Sequence, residues 1–178
     1  MNDVRALLLT GVFGTGKSAV AVEIADLLEV GAPPYAAIDL DWLCWSNAGG
    51  AGHDEHAILA RNLAAVAANY REAGVERFVL AGSVADAGTL EAVRAALAVP
   101  VLVVMLTAPL AVIEERLGSS PTTGRADDLA RARDWLAAGT GVGLEDAVVE
   151  NVGPIRETAA RVLALAGWAG IALDRLAP

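Results

Sequence analysis

The feature that most constrains this chain is a glycine-rich turn between an apolar segment and a helix-forming one. Residues 6–9 are apolar, residues 19–28 have the apolar spacing of a helix that packs on a sheet, and GVFGTGKS stands between them at 11–18. Glycine permits backbone conformations and close approaches that other residues resist. The segment therefore predicts a strand, a tight loop and a helix whose first backbone N–H groups face the loop.

This loop has the composition of a polyphosphate-binding site, the P-loop. Its glycines allow backbone N–H groups to surround phosphate oxygens, and the helix N-terminus adds the positive end of its dipole. Lys17, the single lysine of the chain, is placed to reach the β- and γ-phosphates, and the Ser18 hydroxyl to hold Mg²⁺. The pattern predicts binding of ATP or a close relative. The expected nucleotide-binding residues are Gly11, Gly14, Thr15, Gly16, Lys17, Ser18 and Ala19.

Strands and helices alternate along the rest of the chain. Further strands are predicted at 35–38, 78–81, 101–106 and 148–149, and further helices at 55–73, 90–97, 110–117, 127–137 and 154–166. Near-continuous apolar strands in alternation with helices favour an α/β fold, a parallel sheet covered on both faces. A length of 178 residues, 55% of them hydrophobic, fits one domain over residues 1–178.

Composition narrows the partners and the compartment. The formal charge of −9 disfavours nucleic acid as a partner, because the protein would repel a polyanion. The single cysteine, Cys44, excludes an internal disulfide and a multi-cysteine metal site. The apolar runs are far shorter than the roughly 20 residues of a membrane span, and the first residues do not resemble a secretion signal. We therefore expect a cytoplasmic protein with no membrane partner.

Two carboxylates follow the second predicted strand. Asp39 and Asp41 are expected at the carboxyl edge of the sheet, close to the P-loop. One of them would order metal-bound water and the other would accept a proton from an attacking hydroxyl, and which residue has which role stays open. Ser18 and Asp39 are the candidate metal ligands. Turn formation and helix capping are the structural alternatives for both residues.

The residues next to this acidic pair form a candidate acceptor site. Trp42, Trp45 and Asn47 lie between the second strand and the next helix, and Ser83 follows the third strand. Together with Asp41 they are predicted to line a pocket for a small molecule, although burial of the tryptophans in the core is an equal alternative. His53 and His56 flank a helix start capped by Asp54, and no further His or Cys completes a zinc site.

Asp39-Leu40-Asp41 matches the D-x-D motif of small-molecule kinases such as shikimate kinase. With the P-loop before it and the strand–helix unit at 101–117 after it, the chain resembles the branch of P-loop proteins that contains shikimate, gluconate and nucleoside monophosphate kinases. The resemblance implies the three-layer P-loop nucleoside triphosphate hydrolase fold, a five-stranded parallel sheet in the order 2-3-1-4-5, and a lid-like segment at about 118–126.

The same resemblance implies roles for residues in the second half of the chain. Arg125, and after it Arg116, would stabilise charge on the transferred phosphoryl group. Arg131 and Arg133 rank lower because aspartates of their own helix, at 127, 128 and 134, offer surface partners. The loop with Asn151 and Gly153 would lie against adenine.

These features together predict an ATP- and Mg²⁺-dependent kinase that transfers the γ-phosphoryl group to a hydroxyl or phosphate of a small molecule. A nucleotide-binding switch ATPase without an acceptor is the first alternative, and a polynucleotide 5′-kinase, which the charge disfavours, is the second. The segment after the third strand matches neither adenylate nor shikimate kinases, so the acceptor stays open, as does the oligomeric state.

Overall fold

A parallel five-stranded sheet forms the centre of the molecule. The computed structural model describes residues 5–29, 31–46, 54–119 and 125–168. The strands are β1 (Ala6–Thr10), β2 (Tyr35–Asp39), β3 (Arg77–Ala81), β4 (Val101–Thr107) and β5 (Ala147–Glu150). They lie in the order β2-β3-β1-β4-β5, and each adjacent pair is parallel. The predicted strand order is confirmed.

Helices cover both faces of this sheet. They are α1 (Lys17–Leu28), α2 (Leu40–Cys44), α3 (Glu55–Glu72), α4 (Ala87–Leu97), α5 (Leu110–Gly118), α6 (Arg125–Ala138) and α7 (Ile155–Leu165). None of the helices in these described ranges is both long and apolar enough to cross a bilayer.

Each face of the sheet has its own apolar core. On one face, Leu7 and Leu9 of β1 pack with residues of α1 and α7, such as Ile24 and Val162. On the other, Leu8 packs with residues of β3, α3 and α4. Successive residues of β1 point to opposite faces, and all five are buried, which explains why this strand is apolar throughout.

A third apolar cluster places α5 and α6 beside the P-loop. Val12 of the loop is buried with Ile113 and Leu117 of α5 and Ala132 of α6. Phe13, Leu129 and Trp135 are partly buried against the same cluster. Helix α6 is therefore packed against the loop through apolar side chains, not tethered only through its ends.

Helix boundaries follow local capping. The Asp54 side chain accepts a hydrogen bond from Ala57 N, as its predicted cap role requires. Asp86 caps α4 in the same way, so that helix begins at Ala87, before the predicted start at 90.

A short helix follows Asp39, where the sequence predicted no helix, and the capping alternative for Asp39 is confirmed. Asp39 caps the short helix α2, since its Oδ1 accepts a hydrogen bond from Asp41 N at 3.0 Å. Five residues are too few for an apolar period to become visible in a sequence.

Candidate nucleotide-binding and phosphoryl-transfer site

The P-loop forms a close-fitting backbone cradle at the carboxyl end of β1. Gly11, Gly14 and Gly16 have φ values of +130°, +82° and +91°, in the region that favours glycine. A Cβ at Gly11 would lie 2.4 Å from the carbonyl oxygen of Leu106, and one at Gly16 would lie 2.6 Å from Asn151 Nδ2. The cradle thus requires glycine for both conformation and space.

Lys17 opens α1 and is folded back onto the loop. Its ammonium donates a hydrogen bond to Val12 O at 3.1 Å and lies 5.4 Å from the centre of the Phe13 ring. Burial lowers the pKa of Lys17 from 10.5 to about 8, against the opposing effect of the carboxylates of Asp41, Asp39 and Asp128. A phosphate anion in the cradle would supply the compensating charge that this ammonium lacks.

Ser18 and Asp39 join the P-loop helix to the end of β2. Ser18 Oγ donates a hydrogen bond to Asp39 Oδ2 at 2.7 Å, while the other carboxylate oxygen caps α2. The structure therefore brings together the two residues predicted to hold the metal, and Asp39 performs a cap function at the same time. A hydroxyl and a carboxylate are oxygen donors of the kind that Mg²⁺ accepts beside phosphate oxygens and water.

Asp41 lies on α2 within reach of the same edge. Desolvation by burial raises the pKa of its carboxylate above the usual value, against the opposing effect of the Lys17 charge. The charge of Asp39 raises this pKa further, and the backbone of Ser83 acts to lower it. A carboxylate with a raised pKa is a better proton acceptor near neutral pH.

The two tryptophans of the predicted acceptor site are on the surface. Trp42 and Trp45 are 70% and 73% exposed, and their ring centroids are 5.0 Å apart. The alternative of core burial is thus wrong for both. Ser83 turns its hydroxyl toward the loop, donating to Gly11 O at 3.3 Å. Asn47 lies outside the described residues.

Arg116 and Asn151 hold the P-loop from the side of β4 and β5. Arg116 Nη2 donates to Asn151 O at 2.8 Å, and Nη1 is 3.3 and 3.4 Å from the carbonyl oxygens of Gly14 and Thr15. Asn151 Nδ2 donates to Thr15 O at 2.8 Å, and its Oδ1 accepts from Thr158 Oγ1 at 3.0 Å.

Asn151 is 3% exposed, so this contact between its loop and the P-loop is a buried one. Gly153, two residues on, is exposed. Within the P-loop, the buried Thr15 donates its hydroxyl to Val12 O at 2.8 Å, and Ala19 is exposed on α1.

The lid region is described only at its flanks. Residues 120–124 of the predicted lid segment lie outside the described part, as does the side chain of Arg125, whose backbone begins α6. Arg133 pairs with Glu114 of α5, with 2.6 Å between Nη2 and Oε1.

Asp128 has an electrostatic effect on the candidate site that the sequence did not predict. We expected it to be a surface partner for the arginines of α6, but its charge acts on both Lys17 and Asp41 and raises the pKa of each. Two adjacent aspartates in a first helical turn are typical of any helix start, and the sequence therefore carried no specific signal for this role.

His56 takes part in a contact between helices. Its Nδ1 lies 2.7 Å from Thr89 Oγ1, and that hydroxyl donates to Asp86 Oδ2 at 2.8 Å. The hydrogen bond from Thr89 N to Asp86 Oδ1, and after it the one from the Thr89 hydroxyl, lower the pKa of Asp86. In the described ranges, no three His, Cys, Asp or Glu side chains form a cluster that could hold a metal ion, and His53 lies outside those ranges.

Comparison with known proteins supports the fold at low sequence identity. No protein-family model matches the sequence, and a search of curated proteins gave no significant match. A sugar kinase from Janibacter sp. HTCC2649 is similar in structure, with a TM-score of 0.67 and 20% identity over 95% of this chain and 98% of its own.

Two further structures share the fold. A shikimate kinase from Bacteroides thetaiotaomicron has a TM-score of 0.61 and 19% identity, covering 90% of this chain and 97% of that one. The Mycobacterium tuberculosis APS kinase CysC, in complex with AMPPNP and APS, has a TM-score of 0.56 and 23% identity, covering 92% and 97%. The predicted resemblance to P-loop small-molecule kinases is thereby confirmed, and the chain has the fold of these proteins.

Proposed function

We propose that this protein is an ATP-dependent kinase that transfers the γ-phosphoryl group to a hydroxyl or phosphate of a small metabolite. The observation that carries the proposal is the convergence, at one edge of the sheet, of the glycine cradle, Lys17, the Ser18–Asp39 pair and Asp41. The names of the structural neighbours, sugar kinase, shikimate kinase and APS kinase, support the same reaction class.

The cradle and Lys17 bind the polyphosphate of ATP in this proposal. Backbone N–H groups of the loop and of the first turn of α1 surround the phosphates, and the lysine ammonium leaves Val12 O to contact them. Because an anion replaces a neutral carbonyl as its partner, the charged form of Lys17 becomes the favoured one.

Ser18 and Asp39 are the residues that would hold Mg²⁺. Their hydroxyl and carboxylate oxygens are already neighbours, which fits a cation with oxygen ligands. When bound, the ion would neutralise phosphate charge and orient the phosphoryl group.

Asp41 is assigned as the base. It would accept the proton of the acceptor hydroxyl, because burial raises the pKa of its carboxylate. Trp42 and Trp45 would form one wall for the acceptor. Asn47, for which we also propose acceptor contact, follows them in the chain.

The two arginines receive different roles. Arg125, at the start of α6, would stabilise the charge that develops on the transferred group. Arg116 donates to three backbone carbonyl oxygens, which supports a positioning role for the P-loop and the Asn151 loop. The loop with Asn151 and Gly153 would contact adenine through its backbone, because the Asn151 amide is occupied by Thr15 and Thr158.

The test is consumption of ATP by the purified protein with Mg²⁺ in the presence of nucleosides, nucleotides, sugars, sugar acids and antibiotics, with products identified by mass. A phosphorylated acceptor, lost in Lys17→Ala, is the expected result. Tight ATP binding without acceptor-dependent turnover would refute the kinase assignment and favour a nucleotide switch.

A further inference from the structure

The segments that contain the proposed acceptor-binding residues are acidic and carry two aromatic side chains. Residues 40–60 and 82–90, which follow β2 and β3, contain the acidic residues Asp41, Asp54, Glu55 and Asp86, and neither segment contains a lysine or arginine. Glu55 begins α3, which contacts α2 through the hydrogen bond from Asn62 Nδ2 to Leu43 O. Burial and the charge of Asp41 raise the pKa of the Cys44 thiol, and the charge of Glu55 adds to them. Two largely exposed indole rings, those of Trp42 in α2 and of Trp45 at its C-cap, lie side by side.

Most cations of the described residues have partners away from α2, whereas Arg61 of α3 and Arg131 of α6 are exposed. Lys17 and Arg116 belong to the P-loop. Arg94, Arg133 and Arg156 form ion pairs with Glu91, Glu114 and Glu23.

Arg5 and Arg77 stand at the amino ends of β1 and β3, the opposite edge of the sheet from the site. Arg71 donates to Leu97 O, and Arg161 to Glu150 O. Arg125 is the cation that the proposed function assigns to the phosphoryl group.

We propose, on the basis of the proposed function, that the acceptor is a hydroxyl compound without negative charge, and that it stacks the flat face of a ring on Trp42 and Trp45. An acceptor carboxylate, phosphate or sulfate would meet the carboxylates of Asp41 and Glu55. Like charges brought together in a partly desolvated site oppose binding. An amine on the acceptor would instead be attracted by these carboxylates and by the indole faces.

Besides charge, we expect the exposed tryptophans to contribute to acceptor binding by stacking. An indole ring offers a large, rigid apolar surface, and burial of such a ring by a ligand is favourable. The protein leaves two of them in water side by side, next to the proposed base. A ring that covers them would place an adjoining hydroxyl close to Asp41.

The first experiment uses matched compounds that differ in charge. Glucosamine, glucose and gluconate form one series, and uridine and uridine monophosphate another. We expect kcat/KM for each anionic member to be at least about tenfold below that of its uncharged partner, and the amine to equal or exceed glucose. A preference for gluconate or for the nucleotide would overturn the inference.

Variants distinguish the effects of stacking and of charge on acceptor binding from a general loss of folding. Trp42→Ala and Trp45→Ala should each lower kcat/KM for the acceptor about tenfold with the Kd for ATP unchanged. Trp42→Phe and Trp45→Phe should retain most of the wild-type kcat/KM, because Phe keeps an aromatic ring for stacking. Tyr70→Ala, an exposed aromatic at the other end of α3, is the control. Glu55→Gln should lower the ratio of kcat/KM for the uncharged compound to kcat/KM for its anionic partner by about threefold. Glu72→Gln on the same helix should leave this ratio unchanged.

A binding measurement keeps this inference distinct from the kinase assignment. Fluorescence of the exposed tryptophans is titrated with the same compounds in the presence of AMPPNP, in wild type and in Trp42→Phe/Trp45→Phe. If ATP is never transferred but uncharged members still quench the signal in a Trp42- or Trp45-dependent way, the proposed function fails and the inference holds. Equal binding of the anionic members, or no such signal with any member, overturns the inference.

Discussion

Lys17 is the single lysine of the chain, and it is held in a buried, partly discharged state. Its pKa of about 8 in the free folded protein lies below the unfolded value of 10.5, so the folded state binds fewer protons than the unfolded one between these values. The charged ammonium therefore destabilises the fold fully below pH 8, and the penalty disappears as the pH rises toward 10.5.

The shifted pKa predicts that ATP binding takes up a proton. Near pH 8 the free protein is about half protonated at Lys17, and the phosphates draw the site to full protonation, an uptake of about 0.5 proton per ATP. Calorimetric titration in buffers of different ionisation enthalpy measures this uptake. Lys17→Arg, whose side chain does not titrate in this range, should abolish it. Equal apparent enthalpies in all buffers for the wild type would contradict the prediction.

Substitution of Asp39 and of Asp41 by Asn should affect different kinetic parameters. Asp41→Asn removes the proposed proton acceptor, so kcat should fall about a hundredfold with the Kd for ATP within a few-fold of wild type. Asp39→Asn removes a proposed metal ligand, so the Mg²⁺ concentration at half-maximal activity should rise about tenfold or more. Steady-state kinetics with varied Mg²⁺ and ATP distinguish the two. Full activity in both variants would remove the pair from the mechanism.

The candidate site residues that the sequence predicted are those whose position depends on local features, and the structure brings them to one edge of the sheet. Lys17 and Ser18 follow from a pattern in which the backbone itself binds the ligand, and Asp39 and Asp41 from their place after a strand. The contacts of Arg116 and the charge of Asp128 could not be predicted, because they depend on how α5 and α6 pack against Val12 and Phe13. No local pattern encodes that packing.

At the scale of elements, the loop between β1 and α1 depends on both glycine conformation and contact. Gly16→Ala should abolish detectable ATP binding, because a Cβ would lie 2.6 Å from Asn151 Nδ2 at a φ of +91°. Gly74→Ala is a matched control, with a φ of +88° and no atom within 4 Å of the added Cβ. It should cost about 1 kcal/mol of stability and leave the Kd for ATP unchanged. Similar affinities in both variants would show that the cradle tolerates a side chain.

Long elements with strong periodicity were predictable, and the shortest helix was not. Helix α3, with Asp54 before it and Gly74 after it, matches its predicted bounds closely. Helix α2 went unrecognised because its formation depends on one carboxylate, that of Asp39, which also bonds Ser18. The strand order was predictable only through the family resemblance, since apolar strands do not specify their neighbours.

At the scale of the whole molecule, Asn151 links segments that are far apart in the sequence. Its amide group reaches Thr15 in the P-loop and Thr158 in α7, and its own carbonyl oxygen accepts from Arg116. A contact between β1–α1 and β5–α7 at this position makes the nucleotide site part of the global fold. Loss of the side chain should therefore affect stability and binding together.

Asn151→Ala tests this coupling. The change leaves a carbonyl and a hydroxyl in a buried place without their amide partner, which costs about 1–3 kcal/mol of unfolding free energy. The same substitution should weaken ATP binding about tenfold, because the Thr15 segment of the cradle loses its support. Urea unfolding and ATP titration measure the two effects.

Asn62→Ala is the control, because its amide also donates to a backbone carbonyl, Leu43 O, but in an exposed position. It should change stability by less than about 1 kcal/mol and leave ATP binding intact. Loss of stability without loss of affinity in Asn151→Ala would show that the cradle holds its shape independently of β5 and α7.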